Sequence, residues 1–247
     1  MIVNFLGKVK KFIVFVIFVL IGVYLEKIGF FDYITDPYEY PYILRLLKQH
    51  VVMVAVSMSL ATITGVVVGI ILTRPKFSKF SGIVMYIVGL GQTIPSLAVL
   101  ALSLSVLGIG FKPAVFALYI YSVLPIARNT LAGILSVPPE IKDAAKGTGL
   151  SNMRILFEIE IPYSMSVIIT GFRVALVINI GTAALGYIIG AGGLGELIFT
   201  GISLMDTKML LAGAIPATLL ALFGDFLCEL ASFILVPKGL RTSSKTN

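Results

Sequence analysis

Side chains capable of chemistry are few and far apart in this sequence. The 247 residues include a single histidine, His50, and a single cysteine, Cys228, which excludes a disulfide framework and a Cys/His zinc site. An acid–base or nucleophilic enzyme needs a paired group within reach, and one histidine among scattered carboxylates supplies none. No G-x-x-x-x-G-K-S/T segment occurs, so nothing cradles the phosphates of ATP. The run Gly190-Ala191-Gly192-Gly193-Leu194-Gly195 satisfies G-x-G-x-x-G literally, yet it lacks the preceding strand, the crossover helix and the distal acid of a dinucleotide site. Gly190, Gly192, Gly193 and Gly195 therefore read as a tight, closely packed turn, with an external gate as the functional alternative. Gln92, Thr93 and Ser96 flank Pro95 inside an apolar run, where a broken polar helix lines a path or is a kink satisfied by its neighbours. Arg173, Asp225 and Glu229 are ionisable groups inside apolar runs, which are costly unless paired. An Arg173–Asp225 or Arg173–Glu229 contact is expected, as a structural clasp or a substrate contact.

The elements that position these groups belong in lipid. Hydrophobic residues make up 58% of the chain, charged residues only 13%, and mean hydropathy is +1.04, whereas a soluble domain is about a quarter charged. The net charge of +7 is spread in short clusters between apolar runs, a pattern of membrane orientation rather than nucleic-acid binding. A spanning helix needs about 20 apolar residues. Six runs qualify or nearly so: 12–25 (extending through 28), 51–72, 83–107, 113–126, 167–189 and 210–236. Thirteen Lys and Arg residues fall on one side of these spans and five on the other, with Arg173 inside one. That split puts both termini in the cytoplasm. Gly65 and Gly69, with Ala61 one turn earlier, form a small-residue stripe suited to internal packing.

Three lysines before the first run raise the question of a cleaved signal. The run is followed by Glu26-Lys27-Ile28-Gly29-Phe30-Phe31, which lacks the spaced pair of small residues of a cleavage site, so residues 1–49 read as a retained anchor helix and an external loop ending in an interfacial helix. His50 then begins the second span as a boundary residue. The core occupies 50–236 and a cytoplasmic tail 237–247. The longest cytoplasmic segment, 128–162, predicts two short amphipathic helices. Pro139 suits the first turn of one and Gly147 or Gly149 its end. Ser151 or Asn152 caps the second, which stops before Pro162.

Within that segment, Asp143-Ala144-Ala145, Gly149 four residues on, and Ile159-Glu160-Ile161-Pro162 resemble the EAA motif of binding-protein-dependent ABC transporter permeases. Asp143 stands where Glu is usual and Ile161 where Leu is usual. The resemblance implies that Asp143, Ala144, Ala145, Gly149, Ile159 and Pro162 form a coupling helix and its surroundings, docking on a cytoplasmic ATPase. Gln92-Thr93-Ile94-Pro95-Ser96-Leu97, Leu124-Pro125-Ile126-Ala127-Arg128-Asn129-Thr130 and the glycine run resemble the glycine betaine, carnitine and choline subgroup.

The resemblance implies an all-α, multi-pass cell-membrane protein of the type I importer (MetI-like) fold. Its partners would be a second permease subunit, identical or related, two ATPase subunits and an external solute-binding protein. ATP and Mg would sit on the ATPases, with no cofactor on this chain. A permease for another small solute such as methionine, and an ion-coupled carrier, are the alternatives. A quaternary amine calls for cation–π contacts. Tyr119 and Tyr121 in the fourth span are candidates for weak contacts, with bundle packing the favoured reading of both.

Overall fold

Apolar runs of helical length decide the architecture. The computed structural model describes residues 15–17, 19–237 and 239; these form helices joined by short turns, with no strand among them. Lys8, Lys10 and Lys11, the start of the first expected span and most of the 237–247 tail lie outside the described residues. Helix α1 covers residues 19–27. It is followed by α2 (Phe30–Thr35), α3 (Glu39–Leu72), α4 (Ser81–Thr93), α5 (Ser96–Leu107), α6 (Phe111–Leu135), α7 (Pro139–Gly147), α8 (Asn152–Ile155), α9 (Ile161–Ala183), α10 (Gly195–Leu204) and α11 (Thr207–Leu235). Among the described residues, four helical stretches are long and apolar enough to cross a membrane: α3, α6, the continuous Asn152–Ile189, and α11. The α4–α5 pair makes a fifth if its bent halves cross together.

Helix α6 is the centre of the bundle. It is the least apolar of the four, with a mean hydropathy of 1.3, yet 61% of its most apolar stretch is buried, against 17% in α11. Protein rather than lipid covers it. Small residues allow that approach: a Cβ on Gly69 of α3 would lie 2.6 Å from Thr130 Cβ, and one on Gly171 of α9 would lie 2.6 Å from Asn129 Cβ. Such distances are below any van der Waals contact, so α3 and α9 pack backbone-close against neighbouring faces of α6. Met53, Ala61, Ala114, Ile126, Ala175 and Ala183 fill the shared core.

Several expectations need correction. Residues 39–49 are not a separate interfacial helix; they are the first turns of α3, 34 residues long. Asp36 accepts from the backbone N–H of Tyr38 at 2.8 Å and of Glu39 at 3.3 Å, so the helix starts there. His50 consequently lies inside the bundle, fully buried, rather than at a boundary. Residues 128–135 are helix rather than loop, because nothing before Val137-Pro138-Pro139 breaks α6. The expected single span 83–107 is two helices meeting at 96°.

The expected stop before Pro162 is also absent. The chain runs from α8 through a π turn, Leu156–Glu160, directly into α9. A proline in an α-helix clashes with the carbonyl four residues back. The wider i→i+5 turn ahead of Pro162 relieves that clash and keeps the helix intact.

Candidate functional site

Helix α7 begins on Pro139, whose missing N–H costs nothing in a first turn. It ends in a Schellman motif: the Leu150 N–H donates to Ala145 O at 3.2 Å and the Gly149 N–H to Lys146 O at 2.9 Å. Gly149 has φ +85°, a left-handed conformation that only glycine adopts without cost. Asp143, Ala144 and Gly149 are exposed on this helix, whereas Ala145 is buried. Asp143 pairs with Lys146 at 3.2 Å. Ile159 sits in the π turn and Pro162 in the first turn of α9, both half-buried. Exposed Ile141, Met153 and Phe157 flank the same surface. Met153 and Phe157 went unnoticed in the sequence because their runs read as amphipathic helix.

Beneath that surface is a carboxylate that sequence reasoning also passed over. Glu160, in the π turn, has a side chain only 6% exposed. One oxygen takes the Arg74 guanidinium from the α3–α4 connection, and the other takes Lys142 Nζ from α7 at 3.2 Å. Lys142 also donates to Ile134 O at the end of α6, at 3.1 Å. A buried carboxylate is tolerated only when both oxygens are satisfied, and here each has its own cation.

The α4–α5 bend follows from Pro95. Ile94 before it is extended, at φ −76° and ψ 132°, as pre-proline residues prefer. Two hydrogen bonds tie the bend to α6. Pro125 has no N–H to give the Tyr121 carbonyl; Gln92 Nε2 donates to that carbonyl instead, at 2.7 Å. The Tyr121 hydroxyl in turn donates to Ile94 O. Thr93 is exposed and caps Leu90 O at 2.8 Å, while Pro95 is exposed and Ser96 half-buried at the start of α5. Gln92 and Thr93 line a groove of about 330 Å³ with Tyr86 and Arg128. Tyr121 is buried, and Tyr119 lines a separate groove beside Phe116 and Leu60.

The glycine run packs against α3. Gly190, Gly192 and Gly193 have φ of +75°, +73° and +86°. The Gly193 N–H donates to Gln49 Oε1 at 3.1 Å, and a Cβ on Gly195 would collide with the Ala184 carbonyl. Beside them, His50 Nε2 donates to Ile180 O at 3.0 Å. Asn179 on α9 is fully buried and bonds Ser57 of α3 at 3.0 Å and Ser122 of α6 at 2.8 Å. An amide side chain within the apolar run 167–189 is the sequence signal for it. Arg173 of α9 makes a two-pronged pair with Asp225 of α11; Glu229 lies one turn further along α11. Among the described residues no cluster of three or more His, Cys, Asp or Glu could hold a metal.

Long apolar helices packed around a polar bend and joined by a short amphipathic helix define a multi-pass membrane protein. Residues 65–238 match the family described as binding-protein-dependent transport system inner membrane component, and the chain belongs to that family. It is 44% identical over 185 residues to the osmoprotectant import permease protein OsmY of Salmonella typhimurium, covering 75% of this chain and 78% of the relative. It is 41% identical over 194 residues to the carnitine transport permease protein OpuCB of Listeria monocytogenes, covering 78% and 88%. Inward-facing structures of the MetNI methionine ABC transporter include a chain similar to this one, with TM-score 0.72, 21% identity and coverage of 82% and 100%. That level of identity establishes the fold alone. The protein is thus an inner-membrane, multi-pass ABC permease subunit of MetI-like fold.

Proposed function

We propose that this chain is one permease subunit of an ATP-driven importer for osmoprotectants such as glycine betaine, carnitine or choline. The observation that carries the proposal is identity above 40% with osmoprotectant and carnitine permeases over three quarters of the chain. The methionine alternative draws only on a fold likeness at 21% identity. In this reading the partners are a second permease subunit, two ABC ATPases carrying ATP and Mg, and an external solute-binding protein. Exposed Asp143, Ala144 and Gly149, flanked by the apolar Ile141, Met153 and Phe157, form the face that docks on an ATPase.

ATPase closure displaces α7, and the spans exchange inward and outward openings around the α4–α5 bend. The glycine run, seated on Gln49 and His50, is the external closure. Arg173 and Asp225 clasp α9 to α11. Both termini face the cytoplasm, on the thirteen-to-five charge split. With Tyr121 buried and its hydroxyl engaged, selectivity for the quaternary amine rests mainly with the binding protein.

The test is uptake into proteoliposomes holding the complete transporter with its binding protein. ATP-dependent accumulation of labelled glycine betaine, carnitine or choline is expected. Accumulation of methionine alone, or uptake driven by an ion gradient without ATPase, overturns the assignment.

A further inference from the structure

We infer that Glu160 is a positioning residue for energy coupling, holding the coupling helix, the α3–α4 connection and the foot of α9 together as one moving unit. The inference deepens the docking role proposed for α7 and rests on it. Three segments distant in sequence meet at one carboxylate: Arg74 just past the end of α3, Lys142 in α7, and Glu160 itself one residue before α9. Lys142 adds the end of α6 through Ile134 O. The carboxylate is nearly enclosed, while its two cations are 30% and 23% exposed, so the charge is screened little and its pairing is directional.

The geometry also separates this cluster from ordinary surface pairs. Arg154–Glu158 and Asp143–Lys146 each join neighbours on one helical stretch and are about half exposed or more; such pairs contribute little. Only the Glu160 cluster, among the described ion pairs near α7, links α7 to elements that cross the membrane. Without Glu160, α7 is connected to the spans by its two covalent tethers, 136–138 and 148–151, by packing and by the single Lys142–Ile134 O bond to α6, with no charged link to α3 or α9. A push on α7 would then be partly absorbed in those tethers rather than delivered to α3 and α9.

The test uses the complete reconstituted transporter. Transport per ATP hydrolysed is expected to fall at least fivefold in Glu160→Gln, to recover in part in Glu160→Asp, and to remain at the wild-type ratio in Lys76→Gln, which removes a charge from the same connection but not from the cluster. Should Glu160→Gln fail to assemble, Arg74→Gln and Lys142→Gln each remove one arm and are expected to give intermediate losses. Spin labels at positions 79 and 140, on a Cys228→Ser background, report whether the segments move together. Their separation is expected to stay constant between nucleotide-free and vanadate-trapped states in the wild type and to differ between those states in Glu160→Gln. A wild-type separation that changes between states, or a transport ratio within twofold of wild type for every cluster variant that assembles, overturns the inference. Cross-linking from Ala144→Cys to the ATPase tests docking separately: its absence sinks the docking reading, whereas a cross-link with an unchanged Glu160→Gln ratio sinks only the positioning role.

Discussion

Gln92 donates to the main-chain carbonyl of Tyr121 across the α4–α6 interface, and the Tyr121 side chain answers with a second bond to the bend that follows Gln92. The Gln92 amide fills the Tyr121 carbonyl that Pro125 leaves open, and the Tyr121 hydroxyl fills the Ile94 carbonyl next to Pro95. Losing one intramolecular hydrogen bond costs about 0.5–1.5 kcal/mol. Tyr121→Phe, which keeps the ring, is therefore expected to lower the melting temperature of the detergent-solubilised protein by several degrees, whereas Tyr119→Phe leaves it unchanged. Differential scanning fluorimetry checks both.

The Arg173–Asp225 clasp predicts a compensating exchange. Asp225→Asn removes the two-pronged partner of the Arg173 guanidinium in an apolar stretch and is expected to reduce the yield of assembled transporter several-fold. The double exchange Arg173→Asp/Asp225→Arg is expected to restore at least half of it, measured by size-exclusion chromatography of the purified complex. A double variant as poor as Asp225→Asn would remove the pairing as the reason.

Close backbone approach makes Gly69 and Gly82 behave oppositely. A Cβ on Gly69 would meet Thr130 Cβ and the Ala127 carbonyl at 2.6 and 2.9 Å, while one on Gly82 meets nothing within 4 Å. Gly69→Ala is expected to destabilise by about 1–3 kcal/mol through overpacking. Gly82→Ala is expected to be neutral or to stabilise by up to about 1 kcal/mol through helix propensity. Thermal unfolding of the two variants side by side reads the difference.

At Gly149 the constraint is conformation, since a Cβ there also meets open space. Gly149→Val forces a β-branched residue into φ +85°, and is expected to abolish co-purification of the ATPase. Gly149→Asn tolerates the left-handed region and is expected to keep most of it. Equal loss in both would show that side-chain bulk at the docking surface, rather than the helix stop, is what matters.

Hydropathy made the runs that form α3, α6, α9 and α11 legible because apolar length is a local property, and Pro139 marked the start of α7 for the same reason. The structure selects Gly149 over Gly147 and Ser151 over Asn152 as the adjoining helix ends. Pro95 announced a break, but its 96° angle depends on Gln92 and Tyr121, 29 residues apart, finding each other. Pro162 misled because a π turn overrode its local preference. Glu160 looked like one more charge in a hydrophilic stretch; its burial depends on Arg74, 86 residues earlier. His50 was misjudged at a supposed span boundary because α3 starts eleven residues before it. Pairings across the bundle leave no periodicity for a sequence to display.

The unbroken run through the π turn, 38 residues from Asn152 to Ile189, is about 57 Å long at 1.5 Å per residue, nearly twice a hydrocarbon layer of about 30 Å. Gly171, its tightest approach to α6, falls close to the midpoint. The tightest contact with α6 thus divides this rod into two nearly equal arms, one ending beside Ser151 and the other beside Gly190. Any rotation of the rod about Gly171 would carry its two ends through similar distances in opposite senses.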